Sequence, residues 1–206
     1  MINIIFDMDG TLINSANAIS CAVNEIRADL NLAPLEPAFI MQTINTPGKD
    51  WAKILYDIDE FEHSSFKDGF ERYFVKHYQK SVILYEGVFE LLGFLREQNC
   101  FLAIATNAPQ SSLSAILAKF NILPFFDTIM GVSAGVEPKP SPMMLELIHA
   151  KAAYKKSVFV GDSQKDKEAA KRANMPYLHA KWGEANLKPG EFSKASELKA
   201  LLSEHF

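Results

Sequence analysis

Short apolar runs, rich in β-branched and aromatic residues, recur along the chain. They are nearly continuous rather than alternating, which is typical of strands covered on both faces of a parallel sheet. We predict four strands from these runs and a fifth from a shorter run later in the chain. The predicted strands are Ile2–Phe6, Phe101–Ala105, Thr128–Val132, Val158–Val160 and, as the fifth, Tyr177–His179.

Helical patterns separate the predicted strands. Their apolar residues recur at the i, i+3, i+4, i+7 spacing that places them on one face of a helix. The three sets are Val88, Leu91, Leu92 and Leu95; Leu113, Ile116, Leu117 and Phe120; and Met144, Leu147 and Ile148. Alternating strands and helices predict an α/β fold, a doubly wound parallel sheet whose functional sites lie at the carboxyl ends of its strands.

Residues 15–84 interrupt this alternation, because every apolar pattern within them is helical. The three apolar faces are Ile19, Val23, Ile26 and Leu30; Trp51, Ile54, Leu55 and Ile58; and Phe66, Phe70, Tyr73, Phe74 and His77. A connection of roughly 70 residues is a domain rather than a loop. We therefore predict a Rossmann-like core of residues 1–14 and 85–206 with an inserted α-helical cap of residues 15–84. Hinges at 14–16 and 83–86 would let the cap act as a lid over the end of the first strand.

Composition narrows the class of protein. The chain has 206 residues, of which 48% are hydrophobic and 22% charged, so it is long enough to bury a sizeable core. Its formal net charge is −4 and it contains no long basic run, so we expect no nucleic-acid partner. No stretch approaches the roughly 18 uninterrupted apolar residues of a membrane span, so we expect no membrane partner either.

The two cysteines, Cys21 and Cys100, lie in apolar-patterned segments and have neither CxxC nor Cys/His spacing. We interpret both as buried thiols rather than as a disulfide or a metal site, which favours a reducing compartment. No basic segment followed by an apolar run of signal-peptide length comes after Met1. These features predict a cytoplasmic protein, and we expect a monomer or a homodimer.

Polar and charged residues stand where the predicted strands end. The four segments are 7–11 (DMDGT), 106–107 (TN), 137–140 (EPKP) and 161–166 (GDSQKD). The carboxyl ends of parallel strands meet at one edge of the sheet, so these scattered residues come together. Asp7 and Asp9 would repel each other and lose solvation there, so a positively charged group is expected beside them.

The first segment places two acids on the same side of an extended chain. Asp7 can attack phosphorus as a nucleophile and form an aspartyl phosphate, and Asp9 can act as general acid and base. The structural alternative is an Asx turn or a calcium loop. An EF-hand loop, however, needs glycine at its sixth position, where Leu12 stands, and a helix before it rather than a strand.

An anionic nucleophile and an anionic ester approach each other only with positive charge between them. A hard divalent cation with oxygen ligands, Mg²⁺, meets this need, and Asp162 is the expected ligand from a second strand end. The alternative for Asp162 is a solvated acid at the start of a helix. Asp166 has two interpretations of equal weight: with Ser163 it forms the S-x-x-D pattern of a capping box, or it supports the site behind the metal ligands.

Lys139 stands between two prolines, which stiffen the backbone that carries its side chain. Its ammonium could bridge Asp7 and a phosphate, although a solvated lysine in a proline turn is the alternative. Thr106 and Asn107 could donate a hydroxyl and amides to phosphate oxygens. Taken alone, the pair is also typical of the start of a helix.

These four segments resemble, in order and spacing, the motifs of the haloacid dehalogenase superfamily in its phosphatase branch: DxDGT, a strand-ending Thr or Ser, a Lys before Pro, and GDxxxD. The resemblance spans nearly the whole chain and lies nearest to the phosphoglycolate phosphatases. It implies Asp7 as nucleophile and Asp9 as acid and base. It also implies Mg²⁺ bound by the Asp7 carboxylate, the Asp9 backbone carbonyl and the Asp162 carboxylate, with Lys139 offsetting the negative charge.

Two positions depart from the family pattern. Family members commonly have aspartate where Asn14 stands, which affects the expected hinge contacts rather than the chemistry. The glycine that usually follows the helix after the last motif is replaced by Asn174, which tolerates a left-handed conformation nearly as well.

The function predicted from these residues is Mg²⁺-dependent hydrolysis of a small-metabolite phosphomonoester, phosphoglycolate-like or a sugar phosphate. A phosphosugar mutase is the first alternative, although such mutases often have Val where Thr11 stands and His where Ile19 stands. A non-catalytic phosphate-binding protein is the second. Dehalogenase chemistry is disfavoured by Asp9, and a nucleotide kinase by the absence of a glycine-rich phosphate loop. Residues 43–51 are a candidate substrate reader, or else a turn that places Trp51 in the core of the cap.

Overall fold

The computed structural model describes residues 1–59 and 67–204, without the side chains of 67–71. Two of the predicted apolar positions, Phe66 and the side chain of Phe70, lie outside the described residues. The chain divides into two compact units, one formed by Met1–Ile13 with Leu84–Phe206 and the other by Asn14–Ile83.

The strands in the described residues are β1 (Asn3–Phe6), β2 (Ile13–Asn14), β3 (Ile83–Leu84), β4 (Phe101–Pro109), β5 (Thr128–Val132), β6 (Ser157–Gly161), β7 (Tyr177–Ala180) and β8 (Glu191–Phe192). The α-helices there are α1 (Ala16–Asp29), α2 (Pro37–Asn45), α3 (Trp51–Tyr56), α4 (Lys67–Ser81), α5 (Val88–Glu97), α6 (Gln110–Lys119), α7 (Met143–Lys151), α8 (Gln164–Arg172) and α9 (Ala195–Ser203).

The first unit is built on a six-stranded sheet with the order β5-β4-β1-β6-β7-β8, in which every neighbouring pair is parallel. Successive side chains of a strand point to opposite faces, and all four residues of β1 are buried, so both faces of the sheet are covered. This arrangement confirms the predicted α/β fold with a parallel sheet. β1 lies near the middle, between β4 and β6, and it therefore delivers its carboxyl end to the centre of the sheet edge.

All five predicted strands are present, with small shifts at their ends. The largest difference is in β4, which was predicted to end at Ala105 and extends to Pro109. Its pairing with β5 changes register between Ala105 and Pro109, as in a β-bulge. Thr106 and Asn107 therefore lie within the irregular end of the strand and not after it. β2, β3 and β8 were not predicted because each is only two residues long.

Helices α7 and α8 pack their apolar side chains with those of β1, β4 and β6 in one buried cluster. The predicted face of α7 was wrong at Leu147, which is 38% exposed, whereas Leu145 is fully buried. The same spacing rule fits both residues, and contact with the sheet selects Leu145. The predicted faces of α5 and α6 are buried or half-buried throughout.

Helix α8 begins and ends as its sequence predicts. The Ser163 hydroxyl accepts a hydrogen bond from the amide of Asp166, and the Asp166 carboxylate accepts one from the amide of Ser163, which is a complete capping box. Asn174 follows the helix with φ 51°, the left-handed conformation expected of it.

The second unit has its own apolar core, formed by residues of α1 to α4. Ile54 was predicted to face this core but is exposed, because the short helix α3 buries a different face, that of Ala52, Leu55 and Tyr56. Cys21 was predicted to be a buried thiol and is exposed, since it points away from the stripe of Ile19 and Val23 on α1. Cys100, in the first unit, is buried as predicted.

Within the described ranges, none of the helices combines the length and the apolar character that a membrane crossing requires.

Candidate active site

Asp7 continues β1 by one residue and emerges at the carboxyl edge of the sheet. Its amide donates to the Val160 carbonyl of β6 at 2.8 Å, so the backbone still belongs to the sheet where the side chain leaves it. The residue is only 6% exposed. Its carboxylate is therefore held by the sheet and largely removed from water.

The segment after Asp7 closes into a single tight turn. The amides of Leu12 and Ile13 donate to the Met8 carbonyl at 2.9 and 3.1 Å, and the amide of Gly10 donates to the Ile13 carbonyl at 2.8 Å. Asp9, which stands within this turn, is half-buried.

Gly10 is required in this turn for two reasons. Its φ of +79° is favourable only for glycine, and a Cβ there would lie 2.2 Å from Oδ2 of Asp162. The Gly10 backbone thus presses against the Asp162 carboxylate and limits where that carboxylate can lie.

Lys139 forms the centre of the charge cluster. Its Nζ lies 2.6 Å from Oδ1 of Asp7 and 2.6 Å from Oδ1 of Asp166, and its side chain is 3% exposed. Its backbone is held by Asn107: the amide of Lys139 donates to Asn107 Oδ1 at 2.7 Å, and Asn107 Nδ2 donates to the Lys139 carbonyl at 2.9 Å. The peptide bond to Pro140 is cis.

Asp166 forms the capping box and also pairs with Lys139, while its role behind metal ligands stays a prediction. Oδ2 accepts hydrogen bonds from the Ser163 amide at 3.0 Å and the Ser163 hydroxyl at 2.6 Å, which caps α8. Oδ1 pairs with Lys139 and so supports the charge cluster. Gly161 makes room for this arrangement, because a Cβ there would lie 2.6 Å from the Cβ of Asp166.

The cluster holds more negative than positive charge. Burial raises the pKa of Asp7 to about 7, and the negative charges of Asp166 and Asp9 act in the same direction. The ammonium of Lys139 acts in the opposite direction but does not outweigh them. Burial and the charges of Asp7 and Asp166 raise the pKa of Asp162 to about 8. Burial alone would lower the pKa of Lys139, but the paired carboxylates of Asp166 and Asp7 outweigh it and raise that pKa, so the ammonium stays charged.

The donor set fits a hard divalent cation. Carboxylate oxygens of Asp7, Asp162 and Asp166 lie within 4.8 Å of one another. Both oxygens of Asp166 are already engaged, by Lys139 and by Ser163. That leaves Asp7 and Asp162 as the carboxylates of this cluster available to a metal ion. Burial is the main cause of their raised pKa values, and the negative charges of neighbouring carboxylates add to it.

Thr106 and Asn107, predicted to donate to phosphate, lie beside the cluster with their side chains in other contacts. The buried Thr106 hydroxyl accepts a hydrogen bond from the Ala108 amide at 3.2 Å, and the Asn107 amide group is engaged with the Lys139 backbone. A role in binding phosphate stays a prediction for both residues. The support that Asn107 gives Lys139 was not predicted, because the two residues are 32 positions apart and no local pattern links them.

Residues 43–51 show the packing proposed as the alternative to a substrate reader. Trp51 is half-buried against the apolar core of the second unit, and its ring meets that of Tyr56 edge to face at 6.3 Å. Lys49 is exposed.

A contact that sequence reasoning missed lies in the first unit, where the indole N–H of Trp182 donates to the backbone carbonyl of Thr11. The one signal of this contact in the sequence was an aromatic residue shortly after the fifth predicted strand.

Comparison with known sequences places this site in a family. The model of the haloacid dehalogenase-like hydrolases matches residues 4–180. The chain is 32% identical to the phosphoglycolate phosphatase of Colwellia psychrerythraea over 195 residues, covering 87% of this chain and 84% of the relative. It is 29% identical to that of Aquifex aeolicus over 215 residues, covering 98% and 97%.

Solved structures agree on the fold. The crystal structure of a predicted phosphoglycolate phosphatase from Haemophilus somnus superposes with a TM-score of 0.83 at 27% identity, and 97% of each chain is covered. A candidate β-phosphoglucomutase from Thermotoga maritima superposes with a TM-score of 0.74 over the whole of both chains. At 22% identity, the second likeness shows a shared fold and nothing about the reaction.

Proposed function

The chain belongs to the haloacid dehalogenase-like hydrolase family, and we propose on this basis that it is a Mg²⁺-dependent phosphatase of small phosphomonoesters. The observation that carries the proposal is the cluster of the buried Asp7, Lys139 and Asp166 with the half-buried Asp162, in which a single ammonium, paired with Asp7 and Asp166, stands beside three carboxylates. Because its carboxylates outnumber its ammonium, such a cluster can bind a divalent cation, and the cation can in turn bind an anionic substrate. The phosphoglycolate phosphatases among its relatives support the same reaction class.

Three groups of this chain would hold Mg²⁺: the carboxylates of Asp7 and Asp162 and the backbone carbonyl of Asp9. The bound ion supplies positive charge that offsets repulsion between nucleophile and phosphate and stabilises charge developing on the phosphate oxygens.

Asp7 is the nucleophile of the proposed reaction. Lys139 engages its Oδ1, so we assign the attack on phosphorus to Oδ2. The bond from Oδ2 to phosphorus forms, the ester P–O bond breaks, and the protonated carboxyl of Asp9 gives its proton to the leaving alkoxide. The products of this step are the free alcohol and an aspartyl phosphate on Asp7.

Water completes the cycle. The Asp9 carboxylate takes a proton from the water that attacks phosphorus, the bond between phosphorus and Asp7 breaks, and inorganic phosphate leaves. Lys139 remains charged throughout and offsets the negative charge that gathers at the site. Thr106 and Asn107 are proposed to contribute donors toward the phosphate.

The substrate is proposed to be phosphoglycolate-like or a sugar phosphate. A cytoplasmic location is also proposed, since Cys100 and Cys21 are both free thiols.

Replacement of the nucleophile tests the proposal. Asp7→Asn should abolish release of phosphate from p-nitrophenyl phosphate and leave the circular dichroism spectrum unchanged. Asp59→Asn, at a side chain that is 77% exposed, is the matched control and should keep full activity. Turnover by Asp7→Asn at the wild-type rate would remove Asp7 as nucleophile.

Chelation and a substrate panel complete the test. EDTA should stop turnover and Mg²⁺ should restore it, and about a hundred phosphorylated metabolites should then be screened for phosphate release. Transfer from a sugar bisphosphate without release of phosphate would favour the mutase alternative over hydrolysis. Phosphate binding without any turnover would favour the non-catalytic alternative.

A further inference from the structure

Trp182 lies between two aromatic side chains of the first unit. Its ring stacks on that of Tyr85, with centroids 4.3 Å apart and planes inclined by 10°, and meets the buried Phe192 edge to face at 5.5 Å. The preceding residue, Lys181, donates its amide to the Phe192 carbonyl at 2.8 Å. Both the ring and the backbone that carries it are therefore fixed in place.

The indole N–H of Trp182 donates to the carbonyl of Thr11 at 3.2 Å. The amide of its stacking partner, Tyr85, donates to the next carbonyl, that of Leu12, at 3.0 Å. Two consecutive carbonyls of the turn that follows Asp9 are thus held by two neighbouring aromatic residues. Thr11 is 1% exposed, so water cannot replace the indole donor without local opening.

This anchoring bears directly on the charge cluster. Thr11 follows Gly10, whose Cα presses against the Asp162 carboxylate so closely that a Cβ would lie 2.2 Å from it. A shift of the Thr11 carbonyl moves the Gly10 backbone, and with it the space in which the Asp162 carboxylate lies. The Asp9 carbonyl, on the other side of Gly10, moves with the same segment.

We propose that Trp182 is a positioning residue, which holds the turn after Asp9 in the geometry that sets the Asp162 carboxylate and the Asp9 carbonyl. The proposal rests on the proposed function insofar as these groups hold the metal ion. A side chain that supports ligands in this way changes metal affinity and turnover more than substrate binding.

Trp182→Phe is the test variant, because it keeps an aromatic ring for Tyr85 and removes the indole donor. Binding of Mg²⁺ by calorimetry, and kcat and KM on p-nitrophenyl phosphate, are measured with the full chain. We expect Mg²⁺ to bind about 10-fold more weakly and kcat to fall about 10-fold, with KM almost unchanged.

Tyr154→Phe is the matched control. The Tyr154 hydroxyl donates to a backbone carbonyl, that of Asn99, at 2.7 Å. The two residues precede β6 and β4, at the amino ends of these strands, whereas the charge cluster lies at the carboxyl ends. This variant loses a bond of the same kind and should lower the melting temperature to a similar extent. Its Mg²⁺ affinity and kcat should stay at wild-type values.

The outcomes separate the two proposals. Wild-type Mg²⁺ affinity and kcat in Trp182→Phe, or equal losses in Tyr154→Phe, would overturn the positioning role alone. A wild-type protein that binds no Mg²⁺ and hydrolyses no phosphate ester would overturn the proposed function instead. If Trp182→Phe does not fold, Trp182→Tyr serves in its place, since it also removes the indole donor and the same two losses are expected.

Discussion

The Nζ of Lys139 lies 2.6 Å from Oδ1 of Asp7, and the side chains of both residues are more than nine-tenths buried. A pair so far from water is costly to form unless further groups satisfy it. Asp166 does so on one side, and the Asn107 amide holds the Lys139 backbone on the other. The lysine is thus fixed from three directions at the carboxyl edge of the sheet.

Removal of the ammonium should therefore stop the reaction. In Lys139→Met, Asp7 and Asp166 lose the charge that they share, and we expect kcat on p-nitrophenyl phosphate to fall at least about 100-fold. Lys151→Met, at an exposed lysine of α7, is the control and should be indistinguishable from wild type. A Lys139→Met enzyme within a few-fold of the wild-type kcat would contradict the assigned role.

Loss of the Asn107 amide tests whether turnover depends on the hydrogen bonds that fix the Lys139 backbone. Asn107→Ala removes both hydrogen bonds to Lys139, and we expect kcat to fall about 10-fold. Asn24 makes the same reciprocal pair with the backbone of Leu35 in the other unit, at 2.9 Å for each bond. Both variants should lower the free energy of unfolding by about 1–2 kcal/mol, because each loses two hydrogen bonds to the backbone. Asn24→Ala should not reduce kcat.

Gly10→Ala should disturb Asp162 directly. The new Cβ would occupy the space of the Asp162 carboxylate, so we expect Mg²⁺ affinity and kcat to fall at least about 10-fold. Gly135→Ala imposes the same backbone strain, since φ is +78° there, but its Cβ meets nothing within 4 Å. Equal kinetic losses in both variants would show that strain, and not the approach to Asp162, is responsible.

The stability of the metal-free protein should depend on pH with a defined sign. The folded state raises the pKa of Asp7 to about 7 and of Asp162 to about 8, so it binds protons there that the unfolded chain releases near pH 4. The free energy of unfolding should therefore fall progressively as pH rises from about 4 to about 8, by about 2 kcal/mol between about 6.5 and 8.5 alone. Below about pH 6.5 the lowered pKa of the half-buried His179 opposes the trend.

Asp162→Asn isolates this contribution in thermal unfolding curves. The variant should be more stable than wild type at pH 8.5 without metal, and its stability should vary less between pH 6.5 and 8.5. Saturating Mg²⁺ should reduce the pH dependence of the wild type in the same way, because the cation compensates the charge that protons would otherwise neutralise. A wild-type protein that becomes more stable as pH rises through this window would refute the assignment.

The strands were the most predictable part of the fold. Buried parallel strands consist of apolar β-branched and aromatic residues, and the run at Thr128–Val132 coincides with β5 residue for residue. The two-residue strands were not predictable, because so short a segment carries no periodicity. Spacing identified helical faces but failed at Ile54 and Leu147, since it does not say which neighbour covers a given stripe.

Much of the candidate site was visible in sequence because its acids and its lysine stand at strand ends, which a parallel sheet gathers at one edge. The supporting contacts were not visible. Asn107 and Lys139 meet through a register shift in β4, and Trp182 reaches Thr11 across 171 positions of sequence. Such contacts depend on side-chain directions that only the folded sheet defines.

The pair of Lys139 and Asp7 also joins residues 132 positions apart. Chains dominated by such distant contacts fold slowly, because loops must close before the contacts can form. During synthesis, the reactive groups therefore stay apart until most of the polypeptide has left the ribosome. A refolding experiment should show helical ellipticity returning first and hydrolytic turnover last.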